Sequence, residues 1–308
     1  MSIIESLCNH LNEAVKPFNI TRFSEILSCI SMNNREQIRN HYTTQFGQDL
    51  LDQLKDVEGP HFKEMVEILL KSTAELRAEE LFKAIRGNEV DEETIVEIFC
   101  MTNKAEMDAI KAAYKSVLLA EGCQDPLITL ERDLEKVLST DNLHVVQELM
   151  KTERNKTQHD QVKKSLMGRF ADDVKYFLDE QNEEKLFDTM KYLFTSKSLA
   201  ELEIIMQEFQ HKYQRNMMDA IGSVIPGRSR KLFSTIYNFL LDPITKRAKS
   251  KETLDIKRMI IIFREDDFTR FSERFHEIHH IELGRWVHRL PEGNDKQLLV
   301  SFLGRLIQ

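Results

Sequence analysis

Glycine and proline are scarce in this sequence, ten and six among 308 residues. So few chain breakers leave little room for tight turns, and helices should dominate. No run of eighteen apolar residues occurs, which excludes a spanning helix. The four cysteines, Cys8, Cys29, Cys100 and Cys123, are scattered in apolar contexts without metal-ligand spacing. They read as reduced core thiols of a cytosolic protein. Positive charge is not in excess either. The net charge is −8, so the molecule as a whole is not a nucleic-acid binder, and only local basic patches can recruit a polyanion. There is no phosphate-cradling glycine loop and no G-x-S-x-G elbow, so no enzyme is expected. A secretory signal is missing as well. The chain starts MSIIESLCNHLNEAV, an amphipathic helix with its own Ser2–Glu5 capping box.

What is present is a soluble composition, 41% hydrophobic and 31% charged, long enough for a large core. The stretch IRGNEVDEETIVEIF, residues 85–99, holds a helix end, a turn and a helix start. Gly87 can take the left-handed conformation that ends helices cheaply. Asp91 can cap the next helix, with Glu92 and Glu93 in its first turn. Ile95, Ile98 and Phe99 begin an apolar stripe, and Ile110, Ala113, Tyr114, Val117 and Leu118 continue it on a second helix.

The stripe repeats. Ile95 to Ile110 is fifteen positions, and so are Phe23 to Ile38, Met190 to Ile205 and Ile256 to Phe271. From Ile38 to Pro60, Ile205 to Gly227 and Phe271 to Gly293 the step is twenty-two. The second unit needs thirty, from Ile110 to Thr140, and its surplus lies around AEGCQDPL, which reads as an inserted loop. Four helical copies share the fifteen-residue step and three of them the twenty-two-residue step, with boundaries expected at 1–72, 73–152, 153–240 and 241–308.

These residues carry a family resemblance. The sequence resembles the annexins, whose repeats read approximately M-K-G-x-G-T-D-E, then an I-x-x-I-L helix, then Y-G-x-D-L. Phe46-Gly47-Gln48-Asp49-Leu50 matches the last element. Residues 85–92 match the first, with Glu89 where the second glycine would stand. The hydrophilic link KTERNKTQHDQ, residues 151–161, sits where annexins join their second and third repeats. The degraded loops resemble the divergent alpha-giardin branch. The resemblance implies an all-α fold, an annexin-like disc of four five-helix repeats. It also implies that the first and fourth loops of each repeat lie on one convex face. Each repeat has an apolar stripe that only its neighbours can cover.

The resemblance further implies Ca²⁺ bridging to phospholipid. Carbonyls of the first loop and a carboxylate of the fourth, two residues before an S-G or T-G pair, would be the donors. In this sequence those carboxylate slots are Val57, Val137, Val224 and Leu290, all apolar. A register shift of one residue would offer Glu58 or Glu292 instead. The first loops AVKPFN, DEQNEEKL and KRAKSKE contain no glycine. Only the turn of the second repeat keeps a plausible cation loop, with carbonyls of Ile85, Gly87 and Glu89 and Asp141 as substitute acid. A simple glycine-ended helix is the other reading of that turn. The cofactor expectation is therefore weak Ca²⁺ binding or none.

Direct electrostatics offer another route to a membrane. Arg228, Arg230 and Lys231 crowd one fourth loop, and Lys246, Arg247, Lys249 and Lys251 crowd the next first loop. On a common face each can contribute roughly 1 kcal/mol near anionic lipid, screened by salt. The alternative is a solvated charged surface. The segment HEIHHIELGRWVH holds an H-E-x-x-H of His276, Glu277 and His280, a zinc-protease spacing. The longer form of that motif needs Gly and His at 283 and 286, where Leu283 and Trp286 stand, so these read as core residues and a polar face.

The sequence therefore predicts a peripheral phospholipid-binding or membrane–cytoskeleton scaffold with weakened calcium dependence. It would be cytoplasmic, lying against the plasma membrane or cytoskeleton. The rival reading is a self-associating or cytoskeletal protein without lipid binding, and a zinc hydrolase is the remote one. Little chain precedes the first helix, which predicts no long regulatory tail of the kind many annexins carry.

Overall fold

The structure, a computed structural model, describes residues 2–306 apart from 31, 60, 245–252, 254, 255, 258, 259 and 261–267. Five helices fill the first part: α1 (Ile3–Val15), α2 (Ile20–Ser28), α3 (Met32–Phe46), α4 (Leu50–Gln53) and α5 (Phe62–Leu70). Next come α6 (Thr73–Arg86), α7 (Glu92–Met101), α8 (Lys104–Ala120), α9 (Leu130–Val137) and α10 (Thr140–Lys151). After a link with one short 3-10 turn come α11 (Lys164–Asp179), α12 (Glu183–Ser196), α13 (Leu199–Tyr213), α14 (Met217–Ile221) and α15 (Gly227–Leu241). The described chain closes with α16 (Phe268–His279), α17 (Leu283–His288) and α18 (Asn294–Leu306). Among the described residues there is no β-strand, and no helix is long and apolar enough to cross a membrane.

Capping residues set where these helices begin. The Glu5 N–H donates to Ser2 Oγ at 3.1 Å and the Ser2 N–H to Glu5 Oε2 at 3.2 Å, which closes the box read from the sequence. Asp49 caps α4 through the Leu51 N–H at 2.8 Å, just after Gly47 turns the chain with φ +69°. The surplus residues of the second repeat form the loop 121–129 between α8 and α9.

The chain folds as two compact units, Met1–Leu76 with Pro243–Gln308, and Arg77–Asp242. In the first unit α2 and α5 pack against α18. Phe18, Phe23 and Phe62 form an aromatic trio with centroids 5.7, 5.7 and 6.0 Å apart. Phe271, Phe275 and Phe302 are buried in the same core. One ion pair is sealed there: Lys257, 2% exposed, binds Asp295 and lies 3.2 Å from His61 Nδ1. In the second unit α7 packs on α15, α10 on α12 and α11 on α13. The hydrophobic effect accounts for the cores of both units, since each helix hides one apolar stripe.

The expectation of four core thiols is corrected. All four cysteines are free, but only Cys8 is buried by its exposed area; Cys29, at the C-terminal cap of α2, is exposed, and Cys100 and Cys123 are intermediate. Burial pushes the Cys8 thiol up to about 11 and the Cys100 thiol up to about 12. Both stay protonated at neutral pH and are poor nucleophiles.

The hydrophilic link in the second unit is fastened rather than loose. Arg154 donates from Nη1 to the Lys197 carbonyl at 2.6 Å and from Nη2 to the Phe194 carbonyl, which satisfies the open end of α12. The Asn155 N–H adds a bond to the Ser196 carbonyl at 2.8 Å, and His159 Nε2 lies 2.9 Å from Glu203. Hydrogen bonds from a charged donor are worth roughly 1.5–3 kcal/mol each. Arg154→Met is therefore expected to speed limited proteolysis within residues 152–163 about tenfold or more. Cleavage at the parental rate would show that other contacts hold the link.

Candidate functional site

The turn between α6 and α7 is built differently from its sequence expectation. Gly87 is not among the residues with positive φ, so it does not end α6 through a left-handed conformation. Glycine is needed there for another reason. A Cβ at Gly87 would stand 2.5 Å from the Lys83 carbonyl oxygen, to which the Gly87 N–H donates at 2.9 Å, so a side chain there would force the turn to shift. The Asp91 N–H closes the turn on the Ala84 carbonyl at 2.9 Å. The carbonyls of Ile85, Gly87 and Glu89 take no part in these bonds. Asp91 then caps α7, accepting from the Thr94 N–H at 3.0 Å and the Thr94 hydroxyl at 2.7 Å.

Arg86 anchors this turn to α9. Its Nε donates to Asp133 Oδ2 at 2.7 Å and its Nη2 to Asp133 Oδ1 at 2.9 Å, a two-pronged pair. The Tyr114 hydroxyl adds a bond to Asp133 Oδ2 at 3.0 Å. Asp133 is only 3% exposed. Burial pushes its carboxyl upward, but the bonds from Arg86 and Tyr114 outweigh this and hold it below the ordinary carboxylate range. Val137 follows Asp133 by four positions on α9, so the two share a helix face, the one turned to Arg86. An acid at 137 would stand on the side of the turn. A valine does.

The other slot positions are packed as apolar residues. Val57 and Leu290 lie half-buried against the core of the first unit. Val224 is half-buried in the turn before α15, where its N–H donates to the Ile221 carbonyl at 3.0 Å. Of the two acids one register away, Glu292 accepts from Lys296 Nζ at 2.6 Å and Glu58 is exposed. Asp141, read as a substitute ligand, accepts from the Ser229 hydroxyl of α15 at 3.2 Å. Its neighbour Asn142 donates from Nδ2 to Glu92 Oε2 at 2.8 Å, which ties the start of α10 to the start of α7. Among the described residues no group of three or more His, Cys, Asp or Glu side chains is placed to hold a metal ion. At the turn after α6 the donors that can be named are backbone carbonyls, and the residue at the expected carboxylate position on α9 is Val137.

The H-E-x-x-H residues are separated by the backbone. α16 ends at His279, and His280 sits in a left-handed conformation, φ 55°, so His276 and His280 do not share a helix face. Glu277 accepts from Arg274 Nη1 at 2.6 Å. Leu283 is buried and Trp286 packs partly buried on the first unit's core.

Of the basic patch, Arg228, Arg230 and Lys231 all lie in the first two turns of α15 and are exposed. Arg230 folds back over Gly222, where a Cβ would meet its Nη1 at 2.3 Å. Arg228 and Lys231 have no hydrogen-bond or ion-pair partner among the described residues. Lys246, Arg247, Lys249 and Lys251 lie outside the described residues. Sequence reading missed the anchor of Arg86, Asp133 and Tyr114, because nothing local pairs residues 47 positions apart. It also missed a cavity of about 510 Å³ between α7 and α15, onto which Arg228 and Lys231 open.

Comparison with known proteins gives a consistent result. The family model described as Annexin matches residues 77–118. The chain is 28% identical to annexin A13 of Schistosoma japonicum, over 96% of this chain and 89% of that protein. It is 25% identical to human annexin A13, over 95% and 93%. Among solved structures it resembles calcium-bound annexin (Sm)1, with a TM-score of 0.78 at 19% identity, over 98% of this chain and 90% of that one. It also resembles calcium-bound alpha-14 giardin, with a TM-score of 0.63 at 13% identity, over 97% and 99%. The fold is the four-repeat helical fold of these structures, and together the matches strongly support the annexin superfamily.

Proposed function

We propose that this chain is a peripheral membrane protein of the annexin kind that docks anionic phospholipid with little dependence on calcium. Annexins typically bind phospholipid through calcium. The observation that carries the departure is the set of four slots, Val57, Val137, Val224 and Leu290, where oxygen donors are replaced by carbon. Valine neither coordinates a hard cation nor neutralises it. The turn with carbonyls of Ile85, Gly87 and Glu89 remains the best place for a weakly held Ca²⁺, and Asp141 is a poor substitute acid because Ser229 already occupies it. In place of calcium, Arg228 and Lys231 supply unpaired positive charge at the surface, with Arg230 beside them. Lys246, Arg247, Lys249 and Lys251 would extend the patch.

The chain divides, on this reading, into repeats at 1–72, 73–152, 153–240 and 241–308. The degraded loops support a divergent, giardin-like placement, and a likeness to alpha-14 giardin, lower than that to annexin (Sm)1, supports it in part. The protein acts as a scaffold, not an enzyme, in the cytoplasm against the plasma membrane or cytoskeleton. Vesicle sedimentation tests the reading. With chelator present at low salt the protein pellets with anionic vesicles and is released as salt rises. Absence of pelleting under those conditions, with self-association instead, would favour a structural protein that does not bind lipid.

A further inference from the structure

Aromatic rings lie open on one side of α11 and α12. The Phe170 and Tyr192 ring centroids are 6.0 Å apart, and Tyr192 is left 48% exposed. Leu166, 42% exposed, precedes Phe170 by four residues and so stands on the same face of α11. Over both rings sits the Lys197 ammonium, 4.6 Å from the Phe170 centroid and 4.9 Å from that of Tyr192. Lys197 is only 6% exposed, and its charge has no carboxylate partner among the described residues. Ring faces recover part of the hydration it gives up; a carboxylate would recover more. Two more cations flank the rings. Lys163, at the N-cap of α11, and Arg169 are exposed, and neither has an ion-pair partner among the described residues. The start of α11 adds to the positive field, because Lys163 provides no side-chain cap and the first turn carries no acid.

We propose that this face of α11 and α12 docks a short acidic segment of a partner protein, with one aromatic or aliphatic residue between carboxylates. The apolar residue lies on Leu166, Phe170 and Tyr192. The carboxylates lie on Lys197, Arg169 and Lys163. From Lys163 to Phe170 the helix advances about 10 Å, which matches about three residues of extended chain. Charge and spacing together favour this occupant over a nucleic acid. A polynucleotide needs cations and rings that continue along its backbone, and one turn beyond Phe170 the same side of α11 presents the exposed Asp173. The chain's net charge of −8 opposes attraction from afar, so the contact acts at short range and fades as salt rises. It uses none of the residues assigned to membrane docking.

Fluorescence anisotropy of labelled peptides with the whole chain, at low salt, tests the proposal. The probe is Glu-Asp-Phe-Asp-Glu. Its controls are Glu-Asp-Ala-Asp-Glu, Gln-Asn-Phe-Asn-Gln and a uridine oligonucleotide of equal charge. Alanine in place of phenylalanine is expected to weaken binding about tenfold, and loss of the carboxylates to abolish it. Arg169→Gln and Tyr192→Ser, both at exposed positions, should each weaken binding of the probe about tenfold, the value of one charge-assisted bond or one aromatic contact. Lys164→Gln removes the same charge from the other side of α11 and should change binding by less than about twofold. Unchanged melting curves establish that the variants are folded. No binding of the probe, equal binding of the phenylalanine and alanine peptides, or binding that Arg169→Gln and Tyr192→Ser leave unaltered overturns the proposal. So does tighter binding of the oligonucleotide, which would make this a nucleic-acid surface.

Discussion

Replacing Arg86 with methionine is expected to lower the unfolding free energy of the second unit by about 1–3 kcal/mol at neutral pH, the cost of removing charge-assisted hydrogen bonds from a buried carboxylate that keeps Tyr114 and Lys136 beside it. Asp133 is almost fully buried, and two of its bonds come from the one guanidinium. The loss should depend on pH, with a definite sign. In the parent the Asp133 carboxyl is held below its ordinary range. Its stabilisation is therefore complete above that range and is lost as pH falls through the lower folded value. In the variant the upward push of burial is no longer outweighed by Arg86. The penalty is then largest above the carboxylate range and shrinks as acid neutralises Asp133. Denaturant titrations at several pH values measure both features. A penalty under about 1 kcal/mol, the worth of an exposed pair, would show that the anchor holds nothing. The same variant should loosen the turn that Arg86 starts, so its effect extends to the candidate loop.

Val137→Glu is expected to create the calcium dependence that, on the proposed function, the parent largely lacks. The position follows Asp133 by one turn of α9, on the face that Asp133 turns to Arg86, the last residue of α6 before the turn that carries the Gly87 and Glu89 carbonyls. A carboxylate there supplies both oxygen ligands and charge, the two things missing from the donor set. Half-buried valine is not a core residue, so the exchange costs little fold stability. Calcium should then promote vesicle binding of the variant at concentrations about tenfold or more below any that act on the parent, the shift expected for one charged ligand. Val224→Glu serves as the comparison, since the first loop of its repeat, DEQNEEKL, contains no glycine. Equal calcium response in parent and both variants would mean that the slots are not where the oxygens are lacking.

Much of the fold was legible because it is written locally. The Ser2–Glu5 box and the Asp91 cap are three-residue relations, and the fifteen-residue step between apolar stripes survives as the spacing of successive helices. The surplus around AEGCQDPL is a loop because its glycine and proline interrupt helix on their own. What the sequence hid depends on partners far along the chain. Arg86 reads as a basic residue at a helix end, and only the packing of α9 beside it makes it an anchor. Gly87 reads as a left-handed helix stop, yet its missing side chain makes room for the Lys83 carbonyl, a distance that no spacing rule predicts. The basic patch reads as a row of equivalent charges, whereas Arg230 lies over Gly222 and Arg228 and Lys231 face a cavity. The H-E-x-x-H spacing assumes one continuous helix, and His280 breaks it. The apolar residues Val57, Val137, Val224 and Leu290 were read from residue type alone, and their place as ligand slots belongs to the proposed function.

On the proposed function, the chain docks phospholipid without carboxylates at Val57, Val137, Val224 and Leu290. Co-sedimentation with phosphatidylserine vesicles at low salt, titrated with calcium from chelator upward, measures it most directly. Binding is expected already in chelator, little increased by calcium and reversed by salt. Binding that is absent in chelator and appears steeply with micromolar calcium would contradict it.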